Sequence, residues 1–314
     1  MSALVGVLVR IAVLIPCLNE GVAVGGVVRS FREALPGAAI YVYDNNSTDG
    51  TREAAGAAGA VVRREPRQGK GRAIQRMFAD VDADVYVLVD GDGTYDAASA
   101  PAMIERLCAE QIDLVNGARV AASQSAYRPG HRFGNILFSW LVACIFGGKI
   151  TDMMTGYKVL SRRFVKTFSG PASGFEIDTV LVVHALALDM PVAEVQTAYK
   201  ERPAGSASKL RTVRDGLRVL WTIFRLMIEE HPVYFFGTLT LLCAAASLFF
   251  AYPVAMDYME TGRFLRLPST VLAGSFLALS FLFFAFGLIL DLIFLARLEV
   301  KRLRYLSFSP PPSP

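Results

Sequence analysis

Cysteine, histidine and charge are all scarce in this chain. Its four cysteines, Cys17, Cys108, Cys144 and Cys243, lie far apart with no Cys-x-x-Cys pair, and none of the three histidines stands at metal-ligand spacing from one. That excludes the usual zinc patterns and gives no disulfide framework. Charged residues make up 19% of the chain and hydrophobic ones 53%, which excludes disorder. The net charge of +4 over 314 residues is small, and nucleic acid is not among the expected partners. The length suits one large domain or two smaller ones.

What the chain has instead is apolar surface. Residues 233–256 and 267–290 are two uncharged runs of 24 residues each, separated by ten residues. About 20 apolar residues cross a hydrocarbon core, so the pair predicts a transmembrane hairpin. Seven Lys/Arg lie between Lys200 and Pro232 and four between Asp291 and Pro314, against two in the connecting loop Asp257 to Arg266. The positive-inside rule then puts both ends in the cytoplasm. Residues 209–232 precede the first run. There Arg211, Arg214, Arg218 and Arg225 share one helical face, and Val213, Leu217, Leu220, Phe224 and Ile228 a neighbouring one. That pattern predicts an amphipathic helix at the membrane interface.

The remainder, residues 1–208, reads as an α/β domain. Its apolar start lacks a leading basic region and a small-residue cleavage site, so Val7 to Ile15 is expected to be a buried strand rather than a signal peptide. Strands are expected at Ile40 to Tyr43, Ala60 to Val62, Val85 to Val89, Leu114-Val115, Tyr157 to Leu160 and Val192 to Tyr199. Helices are expected at 51–59, 72–79, 101–110, 134–146 and 179–188. Thr48 is the expected cap of the first of these. This alternation implies a mostly parallel sheet, with ligands at the carboxyl ends of its strands.

Polar clusters fall at those ends. Asp90-Gly91-Asp92 follows an apolar strand, and two carboxylates so placed suit a hard divalent cation that completes its shell with water and phosphate. Asn45 to Gly50 reads as a turn with a helix cap, and Lys70, between two glycines, as either a phosphate-facing cation or an exposed loop lysine. Asp152 reads as a weak base or as a capping aspartate. His184 is expected to be a packed histidine.

Taken in order, these pieces resemble the family-2 glycosyltransferases of glycosyltransferase-A fold, in particular the polyprenyl-phosphate sugar transferases of the dolichyl-phosphate mannose synthase type. The pieces are Ile15-Pro16-Cys17-Leu18-Asn19-Glu20, Asp44 to Thr51, Gly69-Lys70-Gly71, Asp90/Asp92, Gly117-Ala118-Arg119, Gly174-Phe175-Glu176-Ile177 and Arg202 to Lys209. The resemblance implies that Pro16, Asn19, Glu20, Asp44 and Asn46 hold the nucleoside of a nucleoside-diphosphate sugar. It also implies that Lys70 and Arg119 approach the diphosphate. Arg132, Arg202 and Lys209 would meet the acceptor or donor phosphate, since guanidinium groups match phosphate geometry.

Mg²⁺ or Mn²⁺ at Asp90 and Asp92 is the implied cofactor, polyprenyl phosphate the implied acceptor, and Asp152 a positioning residue near the reacting groups. A bacterial inner-membrane protein with a cytoplasmic catalytic domain is expected, and a homo-oligomer is compatible with it. Thr94 stands where dolichyl-phosphate mannose synthases often carry glutamine, which leaves mannose unassigned as the donor sugar. Two rivals remain open: transfer to a glycolipid or polysaccharide hydroxyl, and a non-catalytic binding subunit of a glycan-export system.

Overall fold

The structure, a computed structural model, describes residues 9–121, 150–170, 172–203 and 212–312. It divides into two compact units, one running to Thr222 and resuming at Lys301, the other spanning Ile223–Val300.

The first unit is built on a seven-stranded sheet: β1 (Ile11–Cys17), β2 (Ala39–Asp44), β3 (Val61–Arg64), β4 (Val85–Leu88), β5 (Leu114–Ala121), β6 (Lys158–Ser161) and β7 (Val192–Tyr199). Their order is β3-β2-β1-β4-β6-β5-β7. All run parallel except β6, which lies antiparallel between β4 and β5. The central strands are continuous apolar runs because both faces are covered. Pro16 follows the last β1–β4 pair, Leu14 with Leu88, where one neighbour has already left the ladder.

The intervening helices are α1 (Val24–Ala34), α2 (Thr51–Ala57), α3 (Lys70–Asp80), α4 (Ala100–Ala109), α5 (Arg162–Thr167) and α6 (Ile177–Ala187), with a 3₁₀ turn at Ala97–Ser99. Val24, Val27, Val28 and Phe31 form the buried stripe of α1, at helical spacing. They share a core with Met103, Ile104 and Leu107 of α4 and with Val159 of β6. Side chains alternate along a strand, so Lys158, the neighbour of Val159, points to the other face. There α3 packs on β1 and β2, and α5 on α3.

Several boundaries move from the sequence expectation. β1 begins at Ile11 and β5 extends to Ala121, and α1 and α5 were not anticipated. The expected helix at 134–146 lies outside the described residues. Gly50 rather than Thr48 precedes α2, with no side-chain cap bond. Thr48 turns its N–H to Asn19 instead, and the first-turn Thr51 N–H goes to Asp49 Oδ1 at 3.1 Å.

The chain continues in α7 (Thr212–Glu230), α8 (Pro232–Thr261) and α9 (Leu267–Leu306). Both expected spans lie in α8 and α9, and each helix outruns its span, leaving only five residues between them. Within the second unit the two helices form a hairpin joined by small and polar groups. Ser247 Oγ donates to Ala273 O (2.8 Å) and Ser280 Oγ to Thr240 O (3.0 Å), and Phe250 stacks on Phe276. Leu241, Phe249, Phe281 and Leu292 remain exposed, as suits a lipid solvent. On α7, Val219, Ile223 and Leu226 are buried while Leu217, Leu220, Trp221 and Phe224 are exposed, so the helix carries an unburied apolar stripe.

Candidate functional site

Six strands end on one edge of the sheet and β6 begins there. The polar segments named from the sequence therefore converge. On one side, the loop after β1 is tied to the turn after β2. Asn19, at φ +52, donates its N–H to Ser47 Oγ (2.8 Å) and accepts from Thr48 N–H (2.7 Å). Glu20 N–H donates to Thr51 Oγ1 (2.9 Å) and Gly21 N–H to Asp49 Oδ2 (3.0 Å). Asp44 is fully buried. It accepts from Ser47 N–H (3.0 Å) and lies 2.8 Å from Arg52 Nε. Asn46, also at positive φ (+68), donates to Pro66 O (2.7 Å). Pro16, Asn19, Glu20, Asp44 and Asn46 thus belong to one cross-braced wall.

Next to that wall, Gly69-Lys70-Gly71 opens α3. A Cβ at Gly69 or Gly71 would collide with the carbonyl oxygens of Ser173 and Ala172, and Gly69 sits at φ +138, so glycine is required at both. Glu176 fixes the opposing loop by accepting from the N–H groups of Ser173 (2.9 Å) and Gly174 (2.8 Å). This close approach delivers Lys70 into the site. Its Nζ lies 2.7 Å from Asp90 Oδ1 and 2.7 Å from Asp178 Oδ2. The reading of Lys70 as an exposed loop lysine is therefore overturned, because the side chain is buried at the first turn of a helix. Burial disfavours its charge, but Asp178 and Asp90 outweigh that and hold its pKa above the ordinary lysine value.

Asp90 and Asp92 follow β4 as expected. Gly91 between them faces Cys17, whose Sγ leaves no room for a Cβ. Asp92 accepts from Thr94 N–H (3.1 Å) and Thr94 Oγ1 (2.6 Å), and its other oxygen lies 2.6 Å from Arg202 Nη2. Thr94, the departure from the mannose-synthase pattern, is thus the brace of Asp92.

Asp152 and Arg119 form a two-pronged pair. Arg119 Nε and Nη2 donate to the two carboxylate oxygens at 2.7 and 2.8 Å, and Arg119 N–H adds a third bond at 3.1 Å. Burial pushes the Asp152 carboxyl upward, yet these bonds and the guanidinium charge hold it below the usual carboxylate range. The Asp152 loop is itself fastened by Glu194, which accepts from Thr151 and Asp152 N–H (2.7 and 3.1 Å), and by Asn116 Nδ2, which donates to Asp152 O (2.8 Å).

Asp178, Lys158, Asn116 and Glu194 were not singled out from the sequence. Asp178 directly follows the Gly174 to Ile177 motif, so its signal was present. Lys158 is fully buried and donates to Asn116 Oδ1 at 2.7 Å. A lone lysine within the apolar run Tyr157 to Leu160 was its trace. Arg132 and Lys209 lie outside the described residues. His184 is buried between Phe164 and Phe168, away from this site.

The donor set at Asp90 and Asp92 suits a hard divalent cation. Among the described residues no third Asp, Glu, His or Cys completes a metal cluster. Two protein carboxylates, with water and substrate phosphate as the remaining ligands, match the habit of Mg²⁺.

Comparison with known proteins agrees with this architecture. Residues 12–168 match Glycosyl transferase family 2. The chain is 31% identical to glycosyltransferase AglJ of Haloferax volcanii, over 94% of this chain and 98% of that one. It is 28% identical to a dolichyl-phosphate hexose transferase of the same organism, over 70% of this chain and 95% of that one. Protein RfbJ of Shigella flexneri is 54% identical over 39% of this chain and 96% of its own. Among solved structures, glucosyl-3-phosphoglycerate synthase from Mycobacterium tuberculosis superposes with a TM-score of 0.55 at 25% identity, covering 69% of this chain and 79% of that one. The chain belongs to glycosyltransferase family 2. It is a nucleotide-sugar-dependent glycosyltransferase with a glycosyltransferase-A fold and two long apolar C-terminal helices.

Proposed function

We propose that this enzyme transfers a single sugar from a nucleoside-diphosphate sugar to a polyprenyl phosphate at the cytoplasmic face of a membrane, with inversion at the anomeric carbon. The state of the carboxylates carries the choice of acceptor. Asp90 and Asp178 share Lys70, Asp92 is bound to Arg202, and Asp152 is clamped by Arg119. A hydroxyl acceptor must give up a proton to a base. An aspartate held below the usual range by a guanidinium is a poor one. A phosphate monoester is already ionised at pH 7 and needs none. The name of the dolichyl-phosphate hexose transferase relative supports the same acceptor class.

On this reading Pro16, Asn19, Glu20, Asp44 and Asn46 wall the nucleoside, and Lys70 and Arg119 face the diphosphate. Arg202, with Arg132 and Lys209 from segments outside the described residues, serves the donor or acceptor phosphate. A divalent cation, Mg²⁺ or Mn²⁺, at Asp90 and Asp92 would neutralise charge on the departing diphosphate. Lys70 and Arg202 now neutralise those two carboxylates and are placed to turn to phosphate oxygens. Residues 1–208 form the catalytic domain, 209–232 an interfacial helix and 233–314 the transmembrane hairpin and tail. The excess of Lys/Arg outside the hairpin loop supports the cytoplasmic placement.

The test is incubation of the purified full chain with short-chain polyprenyl phosphate, Mn²⁺ or Mg²⁺, and a panel of nucleotide sugars, with mass spectrometry for glycosyl-phosphoryl-polyprenol. A product that disappears in Asp92→Asn establishes the reaction and names the donor. Consumption of a donor without any lipid-linked product removes the acceptor assignment and favours a hydroxyl acceptor.

A further inference from the structure

Tyr95 stands three residues after Asp92 and has no part in the chemistry proposed above, yet its contacts join two sides of the site. Its backbone bridges to Tyr199 at the end of β7, and the adjoining Lys200 N–H donates to Thr94 O (2.8 Å). Its ring meets Tyr199 edge-on, with centroids 5.4 Å apart, and leans on Tyr157 at 5.5 Å. The bridge and the two ring contacts leave the side chain little freedom, and its hydroxyl is delivered to one place. Gly156 N–H donates to Tyr95 Oη at 2.8 Å.

Gly156 shows what that bond acts on. It is buried in the loop between Asp152 and β6, and a Cβ added to it would collide with both oxygens and the carbon of the Asp90 carboxylate. Asp90 therefore rests against bare backbone on one side, while Lys70 Nζ lies 2.7 Å from its Oδ1. The last torsion of an aspartate is soft, so the surface it rests on decides which way its oxygens face. The neighbouring Thr155 is anchored elsewhere: its Oγ1 donates to Gly117 O (2.7 Å) and accepts from Tyr157 N–H (3.2 Å).

We propose that Tyr95 is a positioning residue for the divalent cation: by accepting from Gly156 N–H, its hydroxyl holds the Gly156 backbone against the Asp90 carboxylate and sets the direction in which Asp90 presents its oxygens. Tyr95 touches neither cation nor sugar on this account. The proposal rests on the assignment of Asp90 and Asp92 to a cation and is independent of the acceptor.

The experiment uses the full chain in detergent micelles and Mn²⁺ alone as the probe, with free Mn²⁺ read by electron paramagnetic resonance and a melting curve recorded beside it. Tyr95→Phe keeps the ring contacts and removes only the hydroxyl. It is expected to bind Mn²⁺ at least about fivefold more weakly, the size of one net hydrogen bond. Gly156→Ala drives a Cβ into the carboxylate. Without the Tyr95 hydroxyl that peptide is free to step back, so Tyr95→Phe/Gly156→Ala is expected to bind Mn²⁺ no more weakly than Gly156→Ala alone. Coupling is reciprocal, so saturating Mn²⁺ should slow hydrogen exchange at the wild-type Gly156 amide by a similar factor. That measurement needs no variant and stands if Tyr95→Phe fails to fold. A smaller loss of Mn²⁺ affinity in Tyr95→Phe, even with a lower melting point, overturns the proposal. Losses that multiply in the double variant, or Gly156 exchange indifferent to Mn²⁺, overturn it equally. A wild type that binds no Mn²⁺ removes the cation assignment itself, and the role of Tyr95 falls with it.

Discussion

A buried lysine ammonium held by one amide oxygen should weaken the fold around it, and Lys158→Met tests this directly. Burial lowers the Lys158 pKa from 10.5 to about 8. At about 1.4 kcal/mol per tenfold change in proton affinity, keeping the side chain charged inside the protein costs ~3 kcal/mol at pH 7. Methionine has similar length and no charge, so it removes that cost. It also deletes the hydrogen bond to Asn116 and leaves Asn116 Oδ1 unsatisfied, a loss of about 1–2 kcal/mol. The variant should therefore be more stable than wild type by about 1–2 kcal/mol at pH 7, with a melting point higher by about 2–8 °C.

The sign should reverse at high pH. Between about 8 and 10.5 the unfolded lysine still binds a proton that the folded one has released, so this group makes wild-type stability rise with pH across that window. Near pH 10 most of the charge penalty is gone and the lost hydrogen bond remains, so Lys158→Met should be the less stable protein. Urea or thermal denaturation of both proteins at pH 7 and pH 10 reads the crossover. A variant less stable by the same amount at both pH values would falsify the reasoning, since the ammonium would then carry no desolvation cost.

Three further substitutions test other parts of the site. Gly156→Ala places a Cβ against the Asp90 carboxylate, so it should weaken Mn²⁺ binding by about tenfold or more while costing ~1–3 kcal/mol of stability. Manganese titration beside a melting curve separates the two effects. Lys70→Met strands two carboxylates that now share one cation, and should destabilise the fold by about 3–5 kcal/mol in urea; a loss below about 1 kcal/mol would show that Lys70 is not their shared counter-charge. His184 has its pKa lowered to about 3 by burial, so between 6.5 and 3 the unfolded state binds a proton that the folded state refuses. Stability from this group is lost as pH falls through that window, by ~2 kcal/mol between pH 7 and pH 5, and His184→Leu should lose correspondingly less over the same interval.

What could be read from the sequence was whatever sits next to its own signal. Apolar runs bounded by turn residues marked the strands, and two long uncharged runs marked the hairpin. Asp90 and Asp92 were legible because a carboxylate pair just past a buried strand is unusual locally. Pairings across the chain were not legible. Lys70 and Asp178 lie 108 positions apart, and only the collision-free glycines at 69 and 71, pressed against Ser173 and Ala172, bring them together. The same holds for Arg119 with Asp152, whose union depends on β6 entering the sheet backwards so that the loop before it reaches the edge where β5 ends. That reversal also explains Lys158. A strand running against its neighbours starts at the active edge, so its first residue lies under the site instead of at the far side of the sheet. A lysine there meets Asn116, which holds the Asp152 loop, and in a uniformly parallel sheet the same position in sequence would have placed it at the opposite edge, with Asp113 and Ser161.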